Sequence, residues 1–214
     1  MIEGGVMNKY ITEFIGTFIF VFTIGLVVIK PGADAFAPIA IGSALMVMIY
    51  AGGHISGAHY NPAVTLAVWL RGRCATSDLP GYFIAQFLAG TAAGLLVLFL
   101  KGNPSIEAAN PDVFKAIIAE TIFTFALCYV VLNVATSKNT AGNSYFGLAI
   151  GFTVLIGAYS VGAISGGAFN PAVALGISVM GLSAFANIWI FLVANFLGGA
   201  LAGMTFLALN PDDK

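Results

Sequence analysis

Long apolar runs separated by short polar breaks dominate the chain. About 20 apolar residues cross a bilayer core as a helix. Six runs reach or approach that length, at residues 10–29, 35–52, 79–100, 113–134, 145–161 and 183–209. Polar segments such as Lys30-Pro31-Gly32 separate most of them. The pattern predicts an all-α membrane protein with six transmembrane helices in contact with membrane lipid.

Two further apolar segments, at residues 61–70 and 170–180, are only ten or eleven residues long. Runs of that length suit a re-entrant or buried helix better than a full span. Each half of the chain then reads span, span, short helix, span. Because three spans per half is an odd number, the second half must enter the membrane from the opposite face. We predict an inverted repeat whose two half-helices dip in from opposite faces and meet near the middle.

An internal repeat supports this division into halves. Asn61-Pro62-Ala63 returns 109 residues later as Asn170-Pro171-Ala172, within IAIG–SG–NPAV and LAIG–SG–NPAV. At the same offset AQFLAGTAAG (85–94) returns as ANFLGGALAG (194–203). Self-similarity at a fixed offset indicates one unit written twice. We expect a single transmembrane domain over residues 1–214, with repeats at about 8–102 and 112–210.

Composition agrees with burial in lipid. The chain is 59% hydrophobic and 8% charged, with a mean hydropathy of +0.98, whereas a soluble domain carries about 25% charged residues. The net charge of −1 gives no electrostatic reason to expect nucleic acid. No nucleophile–base set or metal cluster indicates an enzyme, and no cofactor is expected. Cys74 and Cys128 do not make a disulfide framework.

The Lys and Arg residues favour one orientation. With both termini inside, the inner face holds Lys9, Arg71, Arg73, Lys138 and Lys214, and the outer face holds Lys30, Lys101 and Lys115. Positive charge is enriched on cytoplasmic loops. The apolar run after Tyr10 has no clear cleavage site and is interpreted as a first span. We expect a multi-pass protein of the plasma (inner) membrane with cytoplasmic termini.

The two Asn-Pro-Ala motifs open the two short helices. Asn is among the best N-cap residues and Pro is favoured at the first helical position. Many soluble helices begin this way, but two copies at symmetric places are far more specific. When the oxygen of Asn61 or Asn170 caps its helix, we expect the amide NH₂ to remain free as a donor into a lumen. Two facing helix N-termini would make a positive midpoint that repels cations and protons.

The stretches SGAHYNPAVT (56–65) and SGGAFNPAVALG (165–176) resemble the two signature loops of the aquaporin, or major intrinsic protein, family. The resemblance covers nearly the whole chain. It implies passive conduction of water or small neutral solutes, commonly through each subunit of a homotetramer. It also implies a fold in which the half-helices meet at the pore centre.

Four residues are candidates for loop support. Glu13 in TEFIGTF and Glu120 in AETIFTF are ionisable groups in apolar runs, which are functional-site hypotheses in membranes. They could relay protons or accept hydrogen bonds from re-entrant loops, whose N–H groups cannot stay unsatisfied at membrane depth. The repeat favours the acceptor role, and so does the resemblance. His54 and His59 precede the first motif without a third ligand nearby, so we expect loop support and no metal site.

The residue after the second motif differs from that of strict water channels. Aquaporins of that kind carry Arg there, whereas this chain carries Val173. Counting from the motifs places Ile41, Ala158 and Gly167 at the other three positions of a selectivity filter. This ring is predicted to be wide and apolar, as in some tonoplast-type members that pass a broader range of neutral solutes. Alternatively, neighbouring groups refill the gap and water remains the main cargo.

Three functions therefore compete. The first is a passive channel for water and small neutral solutes such as glycerol, ammonia, hydrogen peroxide or urea, with a strict water channel as its alternative. The second is a secondary transporter, which also uses inverted repeats but needs ion-binding groups in the path. The third is a membrane scaffold, for which the short loops leave little surface. The sequence favours the passive channel.

Overall fold

The computed structural model describes residues 3–213, with side chains from Gly5 onward, so the inner-face charge expected of Lys214 lies outside the described residues. The described chain is helical. The long helices are α1 Glu3–Val28, α2 Ala37–Ser56, α4 Leu79–Leu100, α5 Val113–Val131, α6 Phe146–Ser165 and α8 Ile188–Leu209, and the short ones are α3 Pro62–Leu70 and α7 Pro171–Val179. Each long helix, with its flanking turns, is long and apolar enough to cross a membrane. The predicted six spans and two half-helices are therefore present.

Several boundaries differ from those predicted. Helix α1 begins seven residues earlier, at Glu3. Helices α2 and α6 each run four residues further, to Ser56 and Ser165, and end where Gly57 and Gly166 adopt left-handed φ values of 86° and 97°. A left-handed residue after the last turn is a common helix terminator and is least costly for glycine. The apolar pattern thus missed the final turns, in which Ser56 and Ser165 are buried.

Each half-helix packs against the last span of the other half of the chain. Helix α3 contacts α8, and α7 contacts α4, while α1 pairs with α4 and α5 with α8. A Cβ atom added at Gly90 would lie 2.5 Å from the Ala172 carbonyl oxygen, and one at Gly199 would lie 2.6 Å from that of Ala63. Small residues permit this approach between membrane helices. The two halves therefore interlock at the Asn-Pro-Ala motifs.

The start of α1 and the last described residue lie at the same end of the bundle. Lys9 Nζ lies 2.9 Å from Asp78 Oδ2, at the start of α4. At this end, Arg71 Nη2, which follows α3, lies 2.7 Å from Asp213 Oδ1. At the opposite end, Lys101 Nζ donates to the carbonyl oxygen of Ile29 at 2.8 Å. The first and last described helices therefore begin and end on the same side of the bundle, as an even number of spans requires.

The outward faces of the long helices are apolar. Large exposed side chains include Phe99 at 72%, Phe114 at 73% and Leu88 at 58% of their accessible surface. Soluble monomers rarely expose contiguous apolar patches beyond a few hundred Å². The bundle is therefore built to be surrounded by lipid or by other membrane helices.

Candidate channel site at the meeting point of the half-helices

The two half-helices begin with the same capping geometry. Asn61 is extended at φ −159°, and its side-chain oxygen accepts from the Ala63 N–H at 2.8 Å. Asn170 is extended at φ −160° and accepts from the Ala172 N–H at 2.8 Å. Pro62 and Pro171 are the first residues of their helices. Each motif thus satisfies a helix N–H that would otherwise lack a partner at membrane depth.

The amide groups of the two asparagines cross over to the opposite half of the chain. Asn61 Nδ2 donates to the carbonyl oxygen of Phe169 at 2.9 Å. Asn170 Nδ2 donates to the carbonyl oxygen of Tyr60 at 2.8 Å. This corrects the expectation of a wholly free NH₂, because one of the two N–H groups on each amide is used to hold the halves together. A side-chain amide carries two donors, so one N–H of each asparagine is not used by this bond.

The residues that supply these carbonyls have an unusual backbone. Tyr60 and Phe169 have φ values of 49° and 48°, in the left-handed region. Bulky residues rarely adopt it, and such conformations cost about 1–3 kcal/mol each unless the surroundings hold them. Their N–H groups donate to Glu13 Oε2 and Glu120 Oε2, at 2.7 Å in both cases. The two carboxylates therefore hold the strained residues that aim the crossing carbonyls.

Glu13 is fully buried and has four donors. Its Oε1 accepts from Ser56 Oγ at 2.7 Å and from the His59 N–H at 2.9 Å. Its Oε2 accepts from the Tyr60 N–H at 2.7 Å and from Gln86 Nε2 at 2.8 Å. A carboxylate with two donors on each oxygen is well satisfied as an anion. This contact set is that of a loop support.

Glu120 repeats the arrangement in the second half. It accepts from Ser165 Oγ at 2.7 Å, from the Ala168 and Phe169 N–H groups at 2.9 and 2.7 Å, and from Asn195 Nδ2 at 3.0 Å. Sequence reasoning missed Asn195 and its counterpart Gln86. The signal was available, because both amides occupy the same position of the repeated AQFLAG and ANFLGG segments.

The two histidines lie in different environments. His59 is 8% exposed; its Nδ1 lies 3.1 Å from Thr65 Oγ1, and its ring packs against that of Tyr82 at 4.9 Å between centroids. His54 lies in the last turn of α2 with its side chain exposed. Within the described residues His54 makes no hydrogen bond to the re-entrant loop. The structure therefore gives loop contacts to His59 and leaves His54 outside them.

A narrow cavity lies at the pore centre and opens towards a larger one. The narrow cavity has a volume of about 10 Å³ and is bordered by both Asn61 and Asn170, which is room for about one water molecule. The larger cavity, of about 850 Å³, extends to Lys9 and Asp78 at the end of the bundle that holds the start of α1. His59 borders both cavities. We call the larger cavity the vestibule.

The four predicted filter positions do not share one environment. Gly167 lies beside α6, since a Cβ added there would be 3.7 Å from Ala158 Cα, and both residues are partly exposed. Ile41 and Val173 are packed into the apolar core with 8% and 2% of their surface exposed. Ala158 and Gly167 are therefore less deeply buried than Ile41 and Val173.

Comparison with known proteins identifies the family. The sequence profile described as "Major intrinsic protein" matches residues 3–206. The chain belongs to the major intrinsic protein family. Aquaporin NIP1-1 of Oryza sativa subsp. japonica is 41% identical over 208 residues, covering 92% of this chain and 72% of that protein. Aquaporin NIP1-1 of Arabidopsis thaliana is 35% identical over 225 residues, covering 97% of this chain and 75% of that protein.

A solved structure shows the same fold. The X-ray structure of the aquaglyceroporin from Plasmodium falciparum matches with a TM-score of 0.79 over 94% of this chain and 95% of that one, at 24% identity. The all-α inverted-repeat fold expected from the sequence is confirmed. This major intrinsic protein is an integral, multi-pass membrane channel for water and small neutral solutes, and it is not an enzyme.

A second polar cluster of this major intrinsic protein went unpredicted. The side chain of Arg71 is fully buried, and its guanidinium donates to Thr136 Oγ1 at 2.9 Å and to Asp213 Oδ1 at 2.7 Å. Asp213 Oδ2 also accepts from Ser137 Oγ at 2.7 Å and from the Lys138 N–H at 3.0 Å. These hydrogen bonds join the end of α3, the α5–α6 connection and the C-terminal segment. Arg71, expected as a surface charge of the inner face, is therefore a buried structural cation.

Proposed function

We propose that the channel conducts water and other small neutral solutes through its centre, using Asn61 and Asn170 as donors, and excludes protons and cations. The observation that carries this proposal is the meeting of two half-helix N-termini at a cavity bordered by both asparagines. Each N-terminus carries roughly half a positive elementary charge. A neutral solute with a lone pair is stabilised there, whereas a cation is repelled.

The filter of the proposed channel is Ile41, Ala158, Gly167 and Val173. None of these side chains supplies a hydrogen-bond donor or a charge. An arginine at this level would supply both, as arginine-lined barriers do elsewhere. Size and dehydration cost, and not charge, would then select solutes at the filter, which favours passage of glycerol-sized or similar neutral molecules beside water.

The strict water channel is the second candidate. It is favoured by the burial of Val173 and by the cavity of about 10 Å³ at the pore centre. The secondary transporter is less well supported. Glu13 and Glu120 are the ionisable groups it would use, and each already accepts four hydrogen bonds from its own half of the chain. A coupling ion would have to break them.

The assembly and orientation are also proposals. The apolar outward faces support contact with lipid and with further copies, and family resemblance supports a homotetramer with one pore in each subunit. The cations Lys9, Arg73 and Lys138 border the vestibule. The positive-inside rule then supports a vestibule on the cytoplasmic side, with cytoplasmic termini, in the plasma (inner) membrane.

A permeability panel on proteoliposomes tests the function. Stopped-flow light scattering should show water flux together with measurable flux of urea, glycerol, ammonia or hydrogen peroxide, none of it dependent on an ion gradient. If only water permeated, the protein would be a strict water channel. A flux that requires a proton or sodium gradient would establish the transporter instead.

A further inference from the structure

Of the two described cavities that His59 borders, the one at the pore centre is much the smaller. The cavity between the two asparagines holds about 10 Å³, whereas the vestibule beyond His59 holds about 850 Å³. One water molecule needs about 10–15 Å³ of such space. A solute larger than water that reaches the centre from the vestibule must therefore displace a side chain to pass.

Apolar side chains form most of the walls of the central cavity. They are Phe20, Leu45, Ile49, Ala58, Val64, Leu127, Val131, Ile150, Val154 and Ala168. These side chains cannot replace the hydrogen bonds that a solute loses when it sheds its water. The polar residues that border the cavity are Asn61, Asn170, His59 and Tyr60. The size of the space that these apolar side chains leave therefore determines which solutes can pass.

The wall is not symmetric between the repeats. The offset of 107 that relates Glu13 to Glu120 relates Phe20 of α1 to Leu127 of α5, and both border the central cavity. Equivalent positions in the two halves thus place an aromatic ring on one side of the cavity and a branched aliphatic chain on the other. Phe20 is the larger of these two side chains, and it is the phenylalanine that borders the cavity.

Phe20 is held firmly in place. It lies seven residues after Glu13 on α1, which puts both on the same face of the helix, and 3% of its surface is exposed. Glu13 fixes that face through its four hydrogen bonds to the re-entrant loop and α4. Tightly packed interiors resist displacement of a large side chain. The ring is therefore a rigid limit on the width of the passage.

We propose that, for neutral solutes that the filter beside Val173 admits, Phe20 sets a second and stricter size limit at the pore centre. This inference rests on the proposed function, because it presupposes that solutes larger than water can enter. It assigns the rejection of bulky solutes to one side chain on α1. Replacing the ring by leucine would match the wall of the other repeat and enlarge the passage beside Asn61 and Asn170.

The test compares Phe20→Leu with the same change two residues earlier, Phe18→Leu. Phe18 stacks on Phe14 and Phe22 at 6.0 and 5.7 Å between ring centroids and borders neither cavity. In proteoliposomes, Phe20→Leu should raise the glycerol-to-water permeability ratio by roughly five-fold, the factor that about 1 kcal/mol of barrier represents. Phe18→Leu should leave the ratio unchanged. Water flux and a monodisperse elution profile check that each variant is folded.

Phe20→Ala and Val173→Arg separate the possible outcomes. A ratio that rises from wild type through Phe20→Leu to Phe20→Ala supports the inference. If Val173→Arg lowers glycerol flux while both Phe20 variants keep the wild-type ratio, the limit lies at the filter and the inference is overturned, although the proposed channel stands. A variant set that never passes glycerol yet conducts water also overturns it. Absence of water flux in the wild type would overturn the proposed function itself.

Discussion

Asn61 donates its side-chain amide to the backbone carbonyl of Phe169, 108 positions away, at a distance of 2.9 Å. Asn170 makes the reciprocal bond to Tyr60 at 2.8 Å. Each asparagine therefore caps its own helix and ties that helix to the opposite loop, and the proposed function assigns its second N–H to the solute. Changes at either asparagine should consequently alter both assembly and selectivity.

Asn170→Asp should weaken the channel in both respects. An ionised carboxylate cannot donate to the Tyr60 carbonyl, so two oxygens would face each other at the pore centre. Loss of this buried bond should lower stability by about 1–3 kcal/mol, and the negative charge should weaken cation exclusion. Neutral-solute flux should fall and proton leak should rise in a pH-dye liposome assay. Unchanged flux together with unchanged proton exclusion would count against the proposed role of the asparagines.

Glu120→Leu should be far more damaging than Glu120→Gln. Leucine leaves the Ala168 and Phe169 N–H groups and the Asn195 amide without their acceptor, at about 1–3 kcal/mol per buried group. Glutamine keeps one acceptor oxygen and should fold tolerably. Thermal melting and size-exclusion yield measure the difference, with the exposed Glu107→Leu as a matched control. A Leu variant with normal yield and flux would show that the loop does not depend on this carboxylate.

The elements that sequence predicted best are those set by local chemistry. Asn-Pro-Ala predicted two helix starts because capping and proline preference act within three residues. Glu13 and Glu120 stood out because charge is rare in apolar runs. The crossing bonds to Tyr60 and Phe169 could not be predicted, since backbone carbonyls leave no mark in the sequence and their partners lie in the other half of the chain.

Hydropathy alone could not predict several other features. Helices α2 and α6 end in Ser56 and Ser165, which are buried and donate to the glutamates, so a simple apolar count stopped short. The pairing of Arg71 with Asp213 joins residues 142 positions apart. Nothing in the composition distinguishes such a buried cation from an ordinary inner-face charge. The role of the filter residues stays a prediction.

The side-chain carboxylate of Asp213 should make stability depend on pH. Hydrogen bonds led by that from Ser137 Oγ, with Arg71 nearby, lower the pKa of Asp213 to about 2. Because the folded pKa lies below the unfolded value of about 3.9, the stabilisation is complete above that value and is lost as pH falls towards 2. The melting temperature of purified wild type should therefore drop below about pH 4.

Asp213→Asn isolates this contribution. The variant should melt lower than wild type at neutral pH and lose part of the acid-dependent drop, whereas the neighbouring Asp212→Asn should behave like wild type. Hydrogen exchange in the α5–α6 connection should also increase in Asp213→Asn, because the Lys138 N–H loses its charged acceptor. If the two variants gave identical melting curves between about pH 3 and pH 8, Asp213 would not contribute to stability as predicted.

Thiol chemistry should distinguish the two cysteines. Cys128 is fully buried in α5, and Cys74 borders the vestibule away from the filter. Burial, with Asp78 nearby, raises the pKa of the Cys74 thiol to about 11, so little reactive thiolate exists at neutral pH. Brief mercurial treatment should leave water conductance intact. Strong inhibition that thiols reverse and that Cys74→Ser abolishes would contradict this prediction, because it would show that a mercury adduct on Cys74 blocks the vestibule.

Val173→Arg tests the filter. Valine contributes no donor and no charge, so a solute crossing there loses hydration without compensation unless the ring is wide enough to keep its water neighbours. An arginine should constrict that ring and add positive charge, which should cut glycerol or urea flux more than water flux without raising cation leak. Val173→Leu is the matched control, because it adds volume without charge and should reduce the larger solute's flux less than arginine does. Stopped-flow measurements on all three proteins give the ratios. If wild type and Val173→Arg conducted water equally and passed no larger solute, the wide-filter hypothesis would be wrong. The burial of Val173 in the core would then mean that neighbouring groups already close the gap.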